Sequence, residues 1–102
     1  MLILPNMAPS KLEIKVKALQ RLLREKEYYE KELKEQEQEL ENMKQSSRDE
    51  YEIKKQDELV AEAKRMLPEL DSKIKQHKAE LAKFVEEYKG EESTEEARRL
   101  LQ

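Results

Sequence analysis

There is no cysteine anywhere in the chain, so neither a disulfide framework nor a thiolate metal site or cysteine nucleophile is available to it. That absence agrees with a cytosolic setting. Tryptophan is missing as well, and glycine occurs once, at Gly90, which excludes a glycine-rich phosphate loop and disfavours the turn-dense pattern of β-sandwiches and barrels. Histidine also occurs once. His77 falls on a row of apolar residues and reads as a core or boundary side chain, not as a ligand or general base. The opening MLILPN lacks a basic n-region and has only a short apolar run before Pro5, too little for a signal peptide or a membrane span. Finally, charge of either sign fails to dominate: 21 basic residues face 24 acidic ones, a net charge of -3 with no global field to steer nucleic acid. Neither nucleic acid nor membrane is expected as a partner, and no cofactor is.

What the chain has in abundance is charge, 44% of residues against 36% hydrophobic, a balance that folds only if the apolar residues are spaced to share a face. They are. Leu12, Leu19, Leu33 and Leu40 occupy one heptad position, while Leu22, Tyr29 and Met43 share the position three residues later. Lys26 and Gln36 interrupt this seam and are expected to snorkel or to fix register. A more regular row follows: Ile53, Val60, Leu67, Ile74, Leu81 and Tyr88, with Ala63, Leu70, His77 and Phe84 on its companion position. Pro68 lies inside this row without shifting its phase. A restart there would need Leu67 as an N-cap, a poor cap, so the spacing predicts one helix bent at Pro68.

Three serines open the pattern Ser-x-x-Glu, at Ser10, Ser47 and Ser93, and each is read as a capping box marking a helix start. The short link between the first two helices forces an antiparallel hairpin. Leu12, Ile14, Val16, Ala18, Leu19, Leu22 and Leu23 make a stripe wider than a two-stranded seam needs, and Phe84, Val85 and Tyr88 widen the facing stripe. A third helix carrying Ala97, Leu100 and Leu101 can fold back after Gly90 to cover them. The expected fold is all-α: an elongated antiparallel three-helix bundle, coiled-coil-like, with its second helix kinked at Pro68. Residues 1–9 are expected to form a disordered or extended segment, and residues 10–102 a single three-helix domain with helices at about 10–45, 48–88 and 94–102.

No constellation here points to catalysis. Runs such as EKELKEQEQELE interleave glutamate with lysine and glutamine at i, i+4 spacing, as a solvated helix face does. The first helix is nonetheless polarised, with Lys11, Lys15, Lys17, Arg21, Arg24 and Lys26 early and mostly glutamate from Glu27 to Glu41, a pattern suited either to register or to docking a charged partner. Tyr28 and Tyr51 lie off the seam, where exposed tyrosines serve as interface anchors.

The stretches YEIKKQDELVAEAKRMLPEL (residues 51–70) and RLLREKEYYEKELKEQEQELENM (21–43) resemble tubulin-specific chaperone A, the tubulin-folding cofactor A family. MAPSKLEIKVKALQRL, from Met7, is most similar to its fungal members. The resemblance implies a three-helix bundle without a nucleotide that captures monomeric β-tubulin after chaperonin release and holds it before αβ-heterodimer assembly. By position, Tyr51, Lys54, Lys55, Gln56 and Pro68 match the family pattern. Six residues precede Met7 outside that pattern, and the third helix is shorter than the pattern implies.

The reading is therefore a non-enzymatic, cytoplasmic, cytoskeleton-associated chaperone for β-tubulin, with other tubulin-folding cofactors as further candidate partners, acting as a monomer or weak homodimer. Tyr28, Lys31, Tyr51, Lys54, Lys55, Glu58 and Arg65 are the expected partner-binding residues, with Pro68 structural. Two rival readings stand beside it: a homo-oligomeric coiled-coil scaffold, and a general ATP-independent chaperone resembling prefoldin arms.

Overall fold

A computed structural model describes residues 8–102; most of the segment expected to be disordered or extended, residues 1–7, lies outside the described residues. Three helices follow in order, α1 (Lys11–Gln45), α2 (Glu50–Glu87) and α3 (Glu95–Leu100), and there is no strand among the described residues. The all-α, three-helix class read from the heptad rows is the observed one. The chain divides into two compact units, one made of the described residues up to Leu23 with Lys73–Gln102, the other of Arg24–Ser72.

In the first unit the core consists of Leu12, Val16, Leu19, Ile74, Leu81 and Ala97, with Leu19 and Leu81 fully enclosed. Leu22, Leu23, Phe84, Val85, Tyr88, Leu100 and Leu101 pack around it half-buried. The widened stripe thus meets the third helix as its breadth requires. One member of the expected stripe is misplaced: Ile14 is 55% exposed, because it sits two residues from both Leu12 and Val16 and so points away from the face they share. With only six residues, α3 is too short to hold itself together. Ala97 anchors it, and Gln20 Nε2 donates to Glu96 Oε1 at 2.6 Å.

Of the three expected capping boxes, the first forms its serine half. The Glu13 amide donates to Ser10 Oγ at 3.1 Å, and the Ser10 hydroxyl donates onward to Glu92 Oε2 at 3.0 Å. The box at Ser93 is not made. Thr94 takes the N-cap position without a side-chain cap bond, Ser93 Oγ accepts only from the Glu95 amide at 3.3 Å, and the Glu96 carboxylate is held by Gln20. The turn before it is closed by Tyr88, whose hydroxyl accepts from the Glu92 amide at 3.2 Å. A β-carbon at Gly90 would fall on the Tyr88 ring, so a larger residue there would have to displace that ring.

The second unit is a two-helix seam of Leu40, Met43, Val60, Ala63 and Leu70. Its polar interruptions are paired. Gln56, 8% exposed, donates from Nε2 to the Gln36 carbonyl at 3.0 Å and to Gln36 Oε1 at 2.6 Å. Gln36 in turn donates to Glu32 Oε1 at 2.8 Å. Lys26 reaches Asp71 at 2.8 Å. A buried amide that finds its partner at only one alignment penalises any slip, which is how a polar seam residue fixes register.

The helix α2 runs uninterrupted through Pro68, so the single-helix reading holds and the Lys64 carbonyl is left without its helical donor. The third capping box, at Ser47, is corrected. Ser47 has φ 53°, the Ser47 amide donates to the Lys44 carbonyl at 3.3 Å, and the Arg48 amide donates to the Met43 carbonyl at 3.0 Å. This is the Schellman arrangement that ends α1, with Ser47 in the left-handed position. A residue so used cannot adopt the extended backbone of an N-cap, and α2 begins only at Glu50.

Candidate protein-binding face

All of the expected partner-binding residues fall in the second unit, and all are exposed. Tyr28 and Lys31 lie on α1; Tyr51, Lys54, Lys55, Glu58 and Arg65 lie on α2. Tyr28 and Tyr51 are 60% and 62% exposed, unusually open for aromatic residues in a domain with a well-formed core. Each ring has one close neighbour. Tyr28 stands edge-on to the half-buried Tyr29, with ring centroids 5.4 Å apart, so one tyrosine packs in the seam and orients the other. The Lys55 ammonium lies 4.9 Å over the Tyr51 ring, a cation–π contact that positions both.

Helical spacing turns this scatter into a stripe. Tyr51, Lys55, Leu59, Glu62 and Met66 recur at intervals of four, four, three and four along α2, which places them on one face. Across from it, Tyr28, Tyr29, Glu32 and Gln36 of α1 join Leu59, Glu62, Ala63 and Met66 to line a groove of about 320 Å³. A second depression of about 310 Å³, lined by Lys55, Glu58, Leu59 and Glu62, shares Leu59 and Glu62 with it. The structure therefore gathers Tyr28, Lys55 and Glu58 around one exposed surface, with Tyr51 linked through Lys55. Lys31, Lys54 and Arg65 line neither depression.

Sequence reasoning missed Leu59 and Met66. Leu59 is 49% exposed and sits off both apolar rows of α2; Met66 follows it by seven residues on the same flank. An apolar pair repeating at seven residues beside a seam already filled was the available signal.

Among the described residues no group of His, Cys, Asp and Glu is arranged to hold a metal, and no helix is long and apolar enough to cross a membrane. Among the described residues, the Lys26 ammonium is held above its ordinary value of 10.5 by the hydrogen bond and charge of Asp71. It belongs to a pair between α1 and α2, not to a reactive centre.

The family model described as tubulin binding cofactor A matches residues 7–101. The tubulin-specific chaperone A of Saccharomyces cerevisiae is 46% identical over 93 residues, covering 90% of this chain and 88% of that protein. The solved structure of Rbl2p, a β-tubulin binding post-chaperonin cofactor, superposes with a TM-score of 0.84 at 43% identity over 90% of this chain and 91% of that one. The crystal structure of tubulin folding cofactor A from Arabidopsis thaliana superposes with a TM-score of 0.76 at 26% identity, over 88% of each chain. On all of these grounds the chain belongs to the tubulin binding cofactor A family.

Proposed function

We infer that this chain is a tubulin-folding chaperone that captures monomeric β-tubulin after chaperonin release and stabilises it before αβ-heterodimer assembly. The observation that carries this reading is its likeness, over nearly its whole length, to a solved β-tubulin binding post-chaperonin cofactor. The mechanism is mass action: occupying the free subunit lowers the population open to aggregation, by an amount set by the ratio of free chaperone to its dissociation constant. No nucleotide is consumed and no bond is made, so the protein is a binder and not an enzyme. It works in the cytoplasm, beside the cytoskeleton it supplies, as a monomer or weak homodimer, and passes its client to later tubulin-folding cofactors.

Tyr28, Lys31, Tyr51, Lys54, Lys55, Glu58 and Arg65 are the client contacts in this reading, and the exposure of both tyrosines supports it. Pro68 sets the curvature of α2 that the client meets. A self-pairing scaffold is disfavoured by a specific observation: within the second unit the seam residues of α1 and α2 are already buried against each other in one chain.

The distinguishing experiment follows light scattering from separated β-tubulin and from unrelated aggregation-prone proteins, each with this protein and without nucleotide. Suppression confined to β-tubulin is expected. Equal suppression of every client would instead favour a general chaperone.

A further inference from the structure

The groove between Tyr28 and Leu59 combines apolar and acidic side chains. It exposes apolar area at Tyr28, Leu59 and Met66, and its polar lining consists of Glu32, Gln36 and Glu62 with no cation among them. The adjoining depression adds Glu58, and its one cation, Lys55, is drawn toward the Tyr51 ring. Glu32 has a partner in Gln36, whereas Glu58 and Glu62 form no ion pair among the described residues. Apolar area edged by carboxylates that make no ion pair is complementary to an apolar side chain flanked by cations.

Its length also constrains the occupant. The lining runs from Tyr28 to Gln36 on α1 and from Leu59 to Met66 on α2, about 10 to 12 Å at 1.5 Å per residue. That is two helical turns, enough for an amphipathic segment presenting apolar residues at i and i+3 or i+4.

We propose that this groove is the anchoring site for a cationic amphipathic helical segment of the client, its apolar residue seated between Tyr28, Leu59 and Met66 and its lysine or arginine paired with Glu58 and Glu62. This deepens the chaperone reading and rests on it. Leu59 and Glu62, which both depressions share, are the central contacts. Neither Lys31 nor Arg65 belongs to this anchor.

The test measures affinity for separated β-tubulin, with helicity and thermal unfolding as folding controls, in the wild-type chain and in Leu59→Ala, Glu62→Lys and Glu37→Lys. Glu37 is exposed and lies outside both depressions, so it reports the effect of net charge alone. Leu59→Ala and Glu62→Lys should each weaken binding by roughly tenfold or more, the scale on which a central anchor acts, with folding unchanged. Glu37→Lys should leave affinity within about twofold, as a charge outside the anchor does. Wild-type binding that survives Leu59→Ala overturns the groove while leaving the chaperone reading intact. Equal losses in both charge reversals overturn it too, by making the effect one of overall charge. Self-association abolished by Leu59→Ala with tubulin binding intact would assign the groove to a second copy of this chain. Failure of the wild type to bind β-tubulin removes the chaperone reading and the anchor with it.

Discussion

Ser47 shows how one residue can be claimed by two helices and awarded to one. Its Ser-x-x-Glu spacing suits an N-cap for α2, but the chain has to reverse immediately after α1, and the left-handed position that ends α1 falls on this residue. A left-handed backbone costs an L-residue about 1 kcal/mol or more, and glycine avoids the penalty. Ser47→Gly is therefore expected to stabilise the protein by about 1 kcal/mol, read as a higher urea midpoint at unchanged slope. A lower midpoint would mean that the serine side chain contributes more than its backbone loses. Lys26 supports a second prediction at this scale. Its ammonium is held above the ordinary value by Asp71, so the folded chain binds that proton more tightly than the unfolded one. The pairing then contributes in full below the unfolded pKa, near 10.5, and is lost as pH rises through the raised one. Both side chains are substantially exposed, at 37% and 55%, so the effect is small and screened by salt. In Lys26→Met the alkaline decline in melting temperature should be shallower than in the wild type. Parallel declines through that range would contradict the linkage.

At the scale of the element, Pro68 is the costly choice. Its ring crowds the Lys64 carbonyl and removes a helical bond inside α2, a loss of about 3 kcal/mol in a helix interior, yet the helix continues through it. Pro68→Ala is expected to raise the melting temperature by several degrees. If the proposed curvature serves capture, the same variant binds β-tubulin more weakly; unchanged affinity would show that the bend does nothing for the client. That α2 is one helix was legible beforehand, because Ile53, Val60, Leu67, Ile74 and Leu81 keep their heptad phase on both sides of the proline. The core was legible for the same reason: Leu12, Leu19, Leu40, Met43, Val60, Ala63, Leu70, Ile74 and Leu81 all lie on the rows and all are buried. Helix ends were less so. Local patterns state what a serine can do, and tertiary demands decide, as when Gln20 takes the Glu96 side chain from the Ser93 box. The partner of Gln36 was hidden because pairing needs the alignment of two helices, which spacing within one does not supply. The candidate face was legible only in part. Off-seam tyrosines could be picked out, but the groove depends on Leu59 and Met66 meeting Tyr28 across the hairpin.

For the whole molecule, the proposed function is one of binding, in keeping with a family described as a tubulin binding cofactor. A chain with 44% charged residues and a narrow apolar seam presents a largely polar surface to its client. Specificity must then come from a few anchors set among charges, and affinity from excluding water around them. Such a holder stabilises only the species it binds, so the proposed capture of the free subunit calls for discrimination against the finished heterodimer. Size-exclusion chromatography with light scattering addresses this directly, run on the protein alone, with separated β-tubulin and with intact αβ-tubulin, all without nucleotide. The account predicts a complex of defined stoichiometry with β-tubulin and none with the heterodimer. No complex with either, together with a mass of the free protein that rises with concentration, would contradict it and put a self-associating coiled coil in its place.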